Sequence, residues 1–412
     1  MYALVDGNNF YASCEEIFNP RLAGKALVVL SNNDGCIIAR SQKAKDLGIP
    51  MGAPAFSYRH MQKAGVLHML SANFPLYGDL SDRMMRTLAG FSPNMEIYSI
   101  DEAFLEIPPD VALGKEIRSR VKKWTGITIS IGIAQTKTLA KLANKKAKKE
   151  KQLEGVCLLT DPEEIDNALK NTKITDLWGI GRGLTVSLNK HGIHTAYELK
   201  EKEGSYLKKC FGVQVERISL ELKGVNCFDL EMDPPAKQSI TCSRSFAEPV
   251  IKETELAELV SSFAARASEK LREEQSLAQA ICVYITTSPF HEDVYSNSCT
   301  LPLDPTQSTI EIIPKAKEAL KAIFREGLAY KKAGVILLHL FPQEEFQLDL
   351  FSSFTGPKHL QLMQTIDKIH EKYPEQSLYF AAQGKKGYPG NRKHVSPQYT
   401  TNWQHLLVVR AK

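Results

Sequence analysis

The chain has 412 residues, 43% of them hydrophobic, and sets 52 Lys and Arg against 47 Asp and Glu for a net charge of +5. That length is enough for a sizeable core divided among several domains. Apolar runs are no longer than a strand, which excludes a membrane-crossing helix. Met1 leads straight into a strand pattern, which speaks against a signal peptide and for a cytoplasmic protein.

The first elements read as a strand over Tyr2–Asp6, a helix over Phe10–Ile17 and a strand over Ala26–Leu30. A turn-rich stretch, Ser31-Asn32-Asn33-Asp34-Gly35, precedes the short apolar run Cys36–Ala39, which passes into a helix to Leu47. Residues 50–76 hold Pro and Gly with little periodicity, and Gly78–Ala89 reads as a helix. Met95–Ile100 and Ala103–Ile107 read as two strands around a tight turn. Val111–Trp124 is an amphipathic helix, Ile127–Ile133 a β-branched strand and Thr136–Lys149 a helix, an α+β layer with helices on one face.

From about Lys170 to Asp233 the pattern changes to short helices, and Pro234-Pro235 marks a linker. Residues 238–341 then read βαββαβ: Ile240–Phe246, Glu253–Glu274, Ala278–Thr286, Tyr295–Leu301, Ile310–Phe324 and Ala333–Phe341. A tail follows, with one amphipathic helix over Lys358–Tyr373.

Asp6 ends the first strand, and Asp101-Glu102 sits at the turn of the later strand pair. Neighbours on a regular strand point to opposite faces, so only a turn lets both acids approach one site. Three carboxylates gathered there repel one another unless cations neutralise them, and hard oxygen ligands suit magnesium. The backbone carbonyl of Gly7 adds a further oxygen. Two such ions clamp the attacking and leaving oxygens of phosphoryl transfer. Phe10 and Tyr11, which follow Asp6, are both candidates for nucleotide contact: either both rings pack in the core, or one packs inward while the other borders a nucleotide sugar, where it excludes a 2′-hydroxyl.

Lys137, Lys141 and Lys145 are spaced four apart on one helix face, where like charges favour an anionic partner, a triphosphate or a DNA backbone. Arg40 and Lys45, after Cys36–Ala39, are further candidates for the same task. Leu177-Trp178-Gly179-Ile180-Gly181 followed by His191-Gly192-Ile193 has the form of a helix-hairpin-helix. Its Gly179 and Gly181 allow the backbone close to a DNA phosphate without reading sequence. Gln347-Leu348-Asp349-Leu350-Phe351 is a short apolar peptide in a polar segment, suited to a groove on another protein. The eight Cys form no CxxC pair and read as reduced thiols; His191 and His194 read as a loop feature.

Four segments together resemble the Y-family translesion DNA polymerases, most of all the UmuC branch, the catalytic subunit of bacterial DNA polymerase V. They are Asp6–Glu15, Leu30–Cys36, Ile97–Ala103 and Ser130–Lys141, and the likeness continues through Leu378–Gly384, Ser396–Thr401 and Leu406–Arg410. The resemblance implies a right-hand polymerase. It has a ferredoxin-like palm (1–30 and 77–170), small fingers (31–76), a helix-hairpin-helix thumb (171–233), a βαββαβ little finger (238–341) and a tail (342–412). It casts Asp6, Asp101 and Glu102 as ligands of two Mg²⁺ ions with the Gly7 carbonyl, Tyr11 as the gate against ribonucleotides, and Lys141 and Lys45 as triphosphate contacts. Where the family often has Tyr, this chain has Gln42. Residues Gln347, Leu348, Leu350 and Phe351 resemble a sliding-clamp peptide. Implied partners are primer-template DNA, dNTP, a UmuD-type dimer and a RecA filament in the SOS response. Small fingers close weakly over the nascent pair, which implies tolerance of damaged templates.

Overall fold

Residues 1–290, 294–345, 357–373, 378–384 and 392–406 are described by the computed structural model. The chain divides into two compact units, Met1–Pro234 with Lys393–Lys412, and Pro235–Arg392. The segment beyond Pro342 is thus shared between the two units rather than forming one tail.

Eight strands occur among the described residues of the first unit: β1 (Tyr2–Gly7), β2 (Ala26–Leu30), β3 (Ile37–Arg40), β4 (Leu67–Ser71), β5 (Met95–Ile97), β6 (Glu102–Glu106), β7 (Ile129–Ala134) and β8 (Val156–Leu159). One sheet has the order β5-β6-β1-β7-β8 and a smaller one the order β3-β2-β4. Strand β1 takes the centre because its apolar residues are covered on both faces: Ala3, Leu4 and Val5 are all buried. It runs antiparallel to both β6 and β7. The β5 strand stops at Ile97, earlier than the sequence suggests, because the Ser99 hydroxyl accepts bonds from the Asp101 and Glu102 amides and folds 98–101 into a turn.

The Lys137–Lys149 helix lies directly on β7. At Gly132 a Cβ would fall 2.1 Å from the Asn144 amide nitrogen, so only glycine permits this approach. Asn144 locks the contact by donating to the carbonyls of Leu4 and Ser130. The helix start is anchored by buried Glu221, which accepts from the Thr138 amide, while the N-cap Thr136 hydroxyl donates to the Glu221 carbonyl. The Phe74–Ala89 helix begins a turn earlier than its periodicity suggests, with a proline in its first turn, where a missing N–H costs nothing.

In the second unit β9 (Ser239–Val250), a helix (Glu253–Glu273), β10 (Ser276–Thr287), β11 (Ser296–Thr306), a helix (Thr309–Ile323) and β12 (Tyr330–Pro342) follow the expected βαββαβ order. Their sheet runs β11-β10-β12-β9, antiparallel throughout. The Pro357–Lys372 helix docks on this unit through buried Met363 and a two-bond pairing of Arg272 with Asp367, 2.6 and 2.7 Å. No helix among the described residues is long and apolar enough to cross a membrane.

Candidate active site

The antiparallel register sets Asp6 opposite Glu102 on one side and opposite Ser130 on the other. Asp101 reaches the same end of the sheet through the turn. The Gly7 amide donates to its carbonyl at 2.8 Å, and a Cβ on Gly7 would lie 3.5 Å from the Asp101 Cβ. The Asp101 carboxylate accepts from the Ser99 hydroxyl. The turn therefore does what a regular strand cannot, and brings all four expected groups to one strand end.

Asp6 and Glu102 are neutralised by lysines of one helix. Lys148 meets Asp6 at 2.5 Å, and Lys141 meets both Glu102 oxygens at 3.1 Å. The Lys141 ammonium also lies over the rings of Tyr98, Phe104 and Trp178, at 4.3, 5.6 and 5.7 Å. Burial pushes the Asp6 carboxyl up to about 6; Lys148 opposes that rise, and the charges of Glu102 and Asp101 add to it. Burial likewise raises Asp101, with Ser99 opposing and Glu102 adding. The three acids thus feel one another. Among the described residues, no three His, Cys, Asp or Glu side chains are drawn together tightly enough to form a ready-made ion site. Two of the three acids are instead paired with lysines, Asp6 with Lys148 and Glu102 with Lys141, while Asp101 is held by Ser99. The donor set of three carboxylates and one carbonyl nevertheless suits a hard cation, whose charge would offset the burial that chiefly raises Asp6 and the smaller push from Glu102 and Asp101.

Phe10 and Tyr11 part as the sequence implies, one inward and one outward. Phe10 is 3% exposed and belongs to the core, which corrects its place among nucleotide contacts. Tyr11 is half-buried; its ring stacks on Tyr77 at 4.6 Å and meets Phe74 edge-on at 5.8 Å. The Asp101 charge adds to the burial that raises its hydroxyl pKa, so the phenol lies within electrostatic reach of the acidic edge.

The lysine ladder separates into different environments. Lys137 is 4% exposed, paired with Glu96 and bonded to the Asp229 carbonyl, which removes it from any DNA-facing surface and corrects that expectation. The helix start is covered by the residues after Glu221, so the four-residue spacing does not give all three lysines the same exposure. Lys145 is partly exposed on Asp176 at 2.8 Å. Arg40 donates to the Ile49 carbonyl at 2.6 Å. Lys45 is lowered in pKa first by burial, then by Arg40 and Lys148, while Asp6 raises it; Arg40, Lys45 and the acidic edge share one field. Gln42 bonds Asp46 on its own helix.

Gly179 has a φ of +83° and is exposed, and a Cβ there would stand 2.7 Å from Ile218 Cδ1. Gly181 begins the Arg182–Lys190 helix with no side-chain cap and open space around it, leaving first-turn amides toward solvent. His191 bonds the Tyr206 hydroxyl and His194 bonds Asn189, as a loop feature does. The Gln347, Leu348, Leu350 and Phe351 peptide lies outside the described residues. Lys148 was not singled out from the sequence; its place seven residues beyond Lys141, two turns along the same face, is the signal that identifies it.

Three family models match: the impB/mucB/samB family over residues 5–145, its C-terminal domain over 237–350, and a domain of unknown function over 361–409. The chain is 44% identical to Protein UmuC and 41% identical to Protein ImpB, both of Salmonella typhimurium, each over the whole of both chains. It is 28% identical to DNA polymerase IV of Moorella thermoacetica, over 92% of this chain and 94% of that one. In fold it is similar to a Y-family DNA polymerase chimera of Dbh and Dpo4, with a TM-score of 0.67 at 22% identity over 83% of this chain and 99% of the other. An insertion ternary complex of Dbh DNA polymerase gives 0.52 at 22% identity, over 83% and 99%. With the curated relatives matched from end to end, the chain belongs to the impB/mucB/samB family and is a UmuC-like DNA polymerase with the fold of the Y-family structures.

Proposed function

We infer that this enzyme adds deoxynucleotides to a primer 3′ end past damaged template bases, by phosphoryl transfer assisted by two Mg²⁺ ions. The observation that carries the reading is the register of Asp6 against Glu102, with Asp101 tied to Gly7 at the same strand end and a lysine helix above. Asp6, Asp101, Glu102 and the Gly7 carbonyl are the groups that would hold the ions. Magnesium there supplies activation of the 3′-hydroxyl and charge stabilisation at the leaving pyrophosphate.

The chain's own residues supply positioning and countercharge. Lys141 and Lys148 pair with the carboxylates, and exchange them for triphosphate oxygens when substrate enters. Lys45 and Arg40 approach the triphosphate from the fingers. Tyr11 presents its ring to the sugar and excludes a 2′-hydroxyl. Gly179, Gly181 and Lys145 face the DNA backbone, where amides and a mobile cation bind phosphate without regard to sequence. We assign Gln347–Phe351 to a sliding clamp. We further propose a UmuD-type dimer and a RecA filament as partners, action in the SOS response and a cytoplasmic setting; the likeness to Protein UmuC supports this reading.

The test is primer extension on a synthetic primer-template with dNTPs and Mg²⁺. Elongation that stops on metal chelation supports the reading. Tight DNA binding with no elongation, alone or with UmuD-type and RecA proteins, indicates a scaffolding subunit instead.

A further inference from the structure

Helix Phe10–Phe18 carries Tyr11, and Glu15 lies one turn further along the same face. Glu15 is 1% exposed, and among the described residues no cation pairs with it. One of its oxygens accepts from two hydroxyls, Tyr77 at 2.6 Å and Ser396 at 3.0 Å. Tyr77 is itself fully buried and is the ring on which Tyr11 stacks. A residue near the C-terminus therefore completes the hydrogen bonding of a buried carboxylate that fixes the platform under Tyr11.

Ser396 is held firmly. The Asn73 amide group donates to the Ser396 hydroxyl at 2.8 Å and to the carbonyls of Ser396 and Pro397 at 3.1 and 3.2 Å. Asn73 is buried, and its side chain makes no cap bond to the Phe74–Ala89 helix it precedes; its amide nitrogen serves Ser396 and Pro397 instead. On one side Val395 pairs in parallel with Ser71, at the end of edge strand β4, with the Ser71 amide donating to the His394 carbonyl. The Lys393 amide donates to Asp34 in the turn before β3. On the other side Tyr399 stacks on Phe18 at 4.9 Å and 9°, at the far end of the Tyr11 helix. The segment thus ties the small β3-β2-β4 sheet to the helix that bears Tyr11, and closes part of an open sheet edge.

We propose that residues His394–Tyr399, within the region matched by a family model of unknown function, are a positioning element for sugar selection, holding Glu15 and Tyr77 and through them the ring of Tyr11. This rests on reading Tyr11 as the sugar gate. Ser396 and Asn73 touch no substrate; they act through Glu15. With one donor lost, the buried carboxylate loses a charge-assisted bond, Tyr77 gains freedom, and the Tyr11 ring admits a 2′-hydroxyl more readily.

The experiment uses the full chain and the variants Ser396→Ala, Ser396→Thr, Asn73→Ala and Tyr11→Ala. Insertion of dCTP and rCTP opposite template guanine is measured, with amide hydrogen exchange over residues 10–18. Ser396→Ala and Asn73→Ala are expected to speed exchange in that helix. They are also expected to raise the rCTP-to-dCTP efficiency ratio about fivefold, chiefly through KM for rCTP, while kcat for dCTP is kept. Ser396→Thr, which retains the hydroxyl, is expected to match the parent. Unchanged exchange in both variants overturns the positioning role, whatever Tyr11→Ala does. Faster exchange with an unchanged ratio, where Tyr11→Ala does raise the ratio, overturns the link to sugar selection. Faster exchange with no response to Tyr11→Ala supports the positioning role and overturns the gate instead.

Discussion

Asp6 and Glu102 stand opposite one another on adjacent antiparallel strands, yet each is neutralised by its own lysine, Lys148 for Asp6 and Lys141 for Glu102. One helix therefore supplies countercharge to both acids, and its seat on Gly132 fixes where that charge falls. The arrangement keeps a crowded acidic edge stable, at a measurable cost.

That cost has a pH signature. The Asp6 carboxyl is raised from 3.8 to about 6, so the folded chain holds this proton more tightly than the unfolded chain does. Below the unfolded value both states are protonated and nothing is lost. Between the two values stability falls as pH rises, and above about pH 6 the full cost is present, roughly 3 kcal/mol at most. Asp6→Asn is therefore expected to raise Tm in metal-free buffer at neutral pH, the gain shrinking as pH falls toward 4. Lys148 is partly exposed and loses little when left alone. Calorimetry across this range checks it; a pH-independent difference contradicts it.

Lys137 and Lys145 should behave oppositely. Lys137 is sealed against Glu96, so Lys137→Ala strands a buried carboxylate and is expected to cost about 3–5 kcal/mol of stability. Lys145→Ala is expected to leave stability within about 0.5 kcal/mol, lower primer-template affinity and reduce the salt slope by about 1. Urea unfolding and DNA-binding titrations at several salt concentrations separate the two.

The two hairpin glycines divide between fold and binding. At Gly179 a side chain meets Ile218 and a positive φ, so Gly179→Ala is expected to cost about 1–3 kcal/mol. At Gly181 there is open space, so Gly181→Ala is expected to leave Tm unchanged and to weaken DNA binding by holding phosphate away from the helix amides. Equal DNA affinity in Gly181→Ala and the parent chain removes the hairpin from the interface.

Deleting residues 347–351 is expected to leave distributive synthesis intact and abolish stimulation by a sliding clamp. Equal stimulation with and without the peptide rejects its assignment.

Much of this site is legible in the chain because apolar strands mark their ends. Asp6 and Asp101-Glu102 interrupt runs of buried residues, and the turn between β5 and β6 follows from two adjacent acids needing one site. Long amphipathic helices and the βαββαβ order are legible for the same reason, that periodicity reports the buried face. The β8 strand, Val156–Leu159, is not: four residues at a parallel edge carry no distinctive alternation. Nor is the Lys148–Asp6 pair, which depends on how closely a helix approaches β7 through Gly132. The bond from Ser396 to Glu15 spans 381 positions and leaves no local pattern at all. Lys137 misleads because spacing gives the helix face but not what covers its first turn.

The most direct measurement is single-nucleotide primer extension by Asp101→Ala and Glu102→Ala with saturating Mg²⁺, beside a DNA-binding titration of the same variants. Each substitution is expected to lower kcat by about 10²–10³-fold or more while leaving primer-template affinity essentially intact. Extension at the parent rate by either variant would show that the acidic strand end does not hold the reaction.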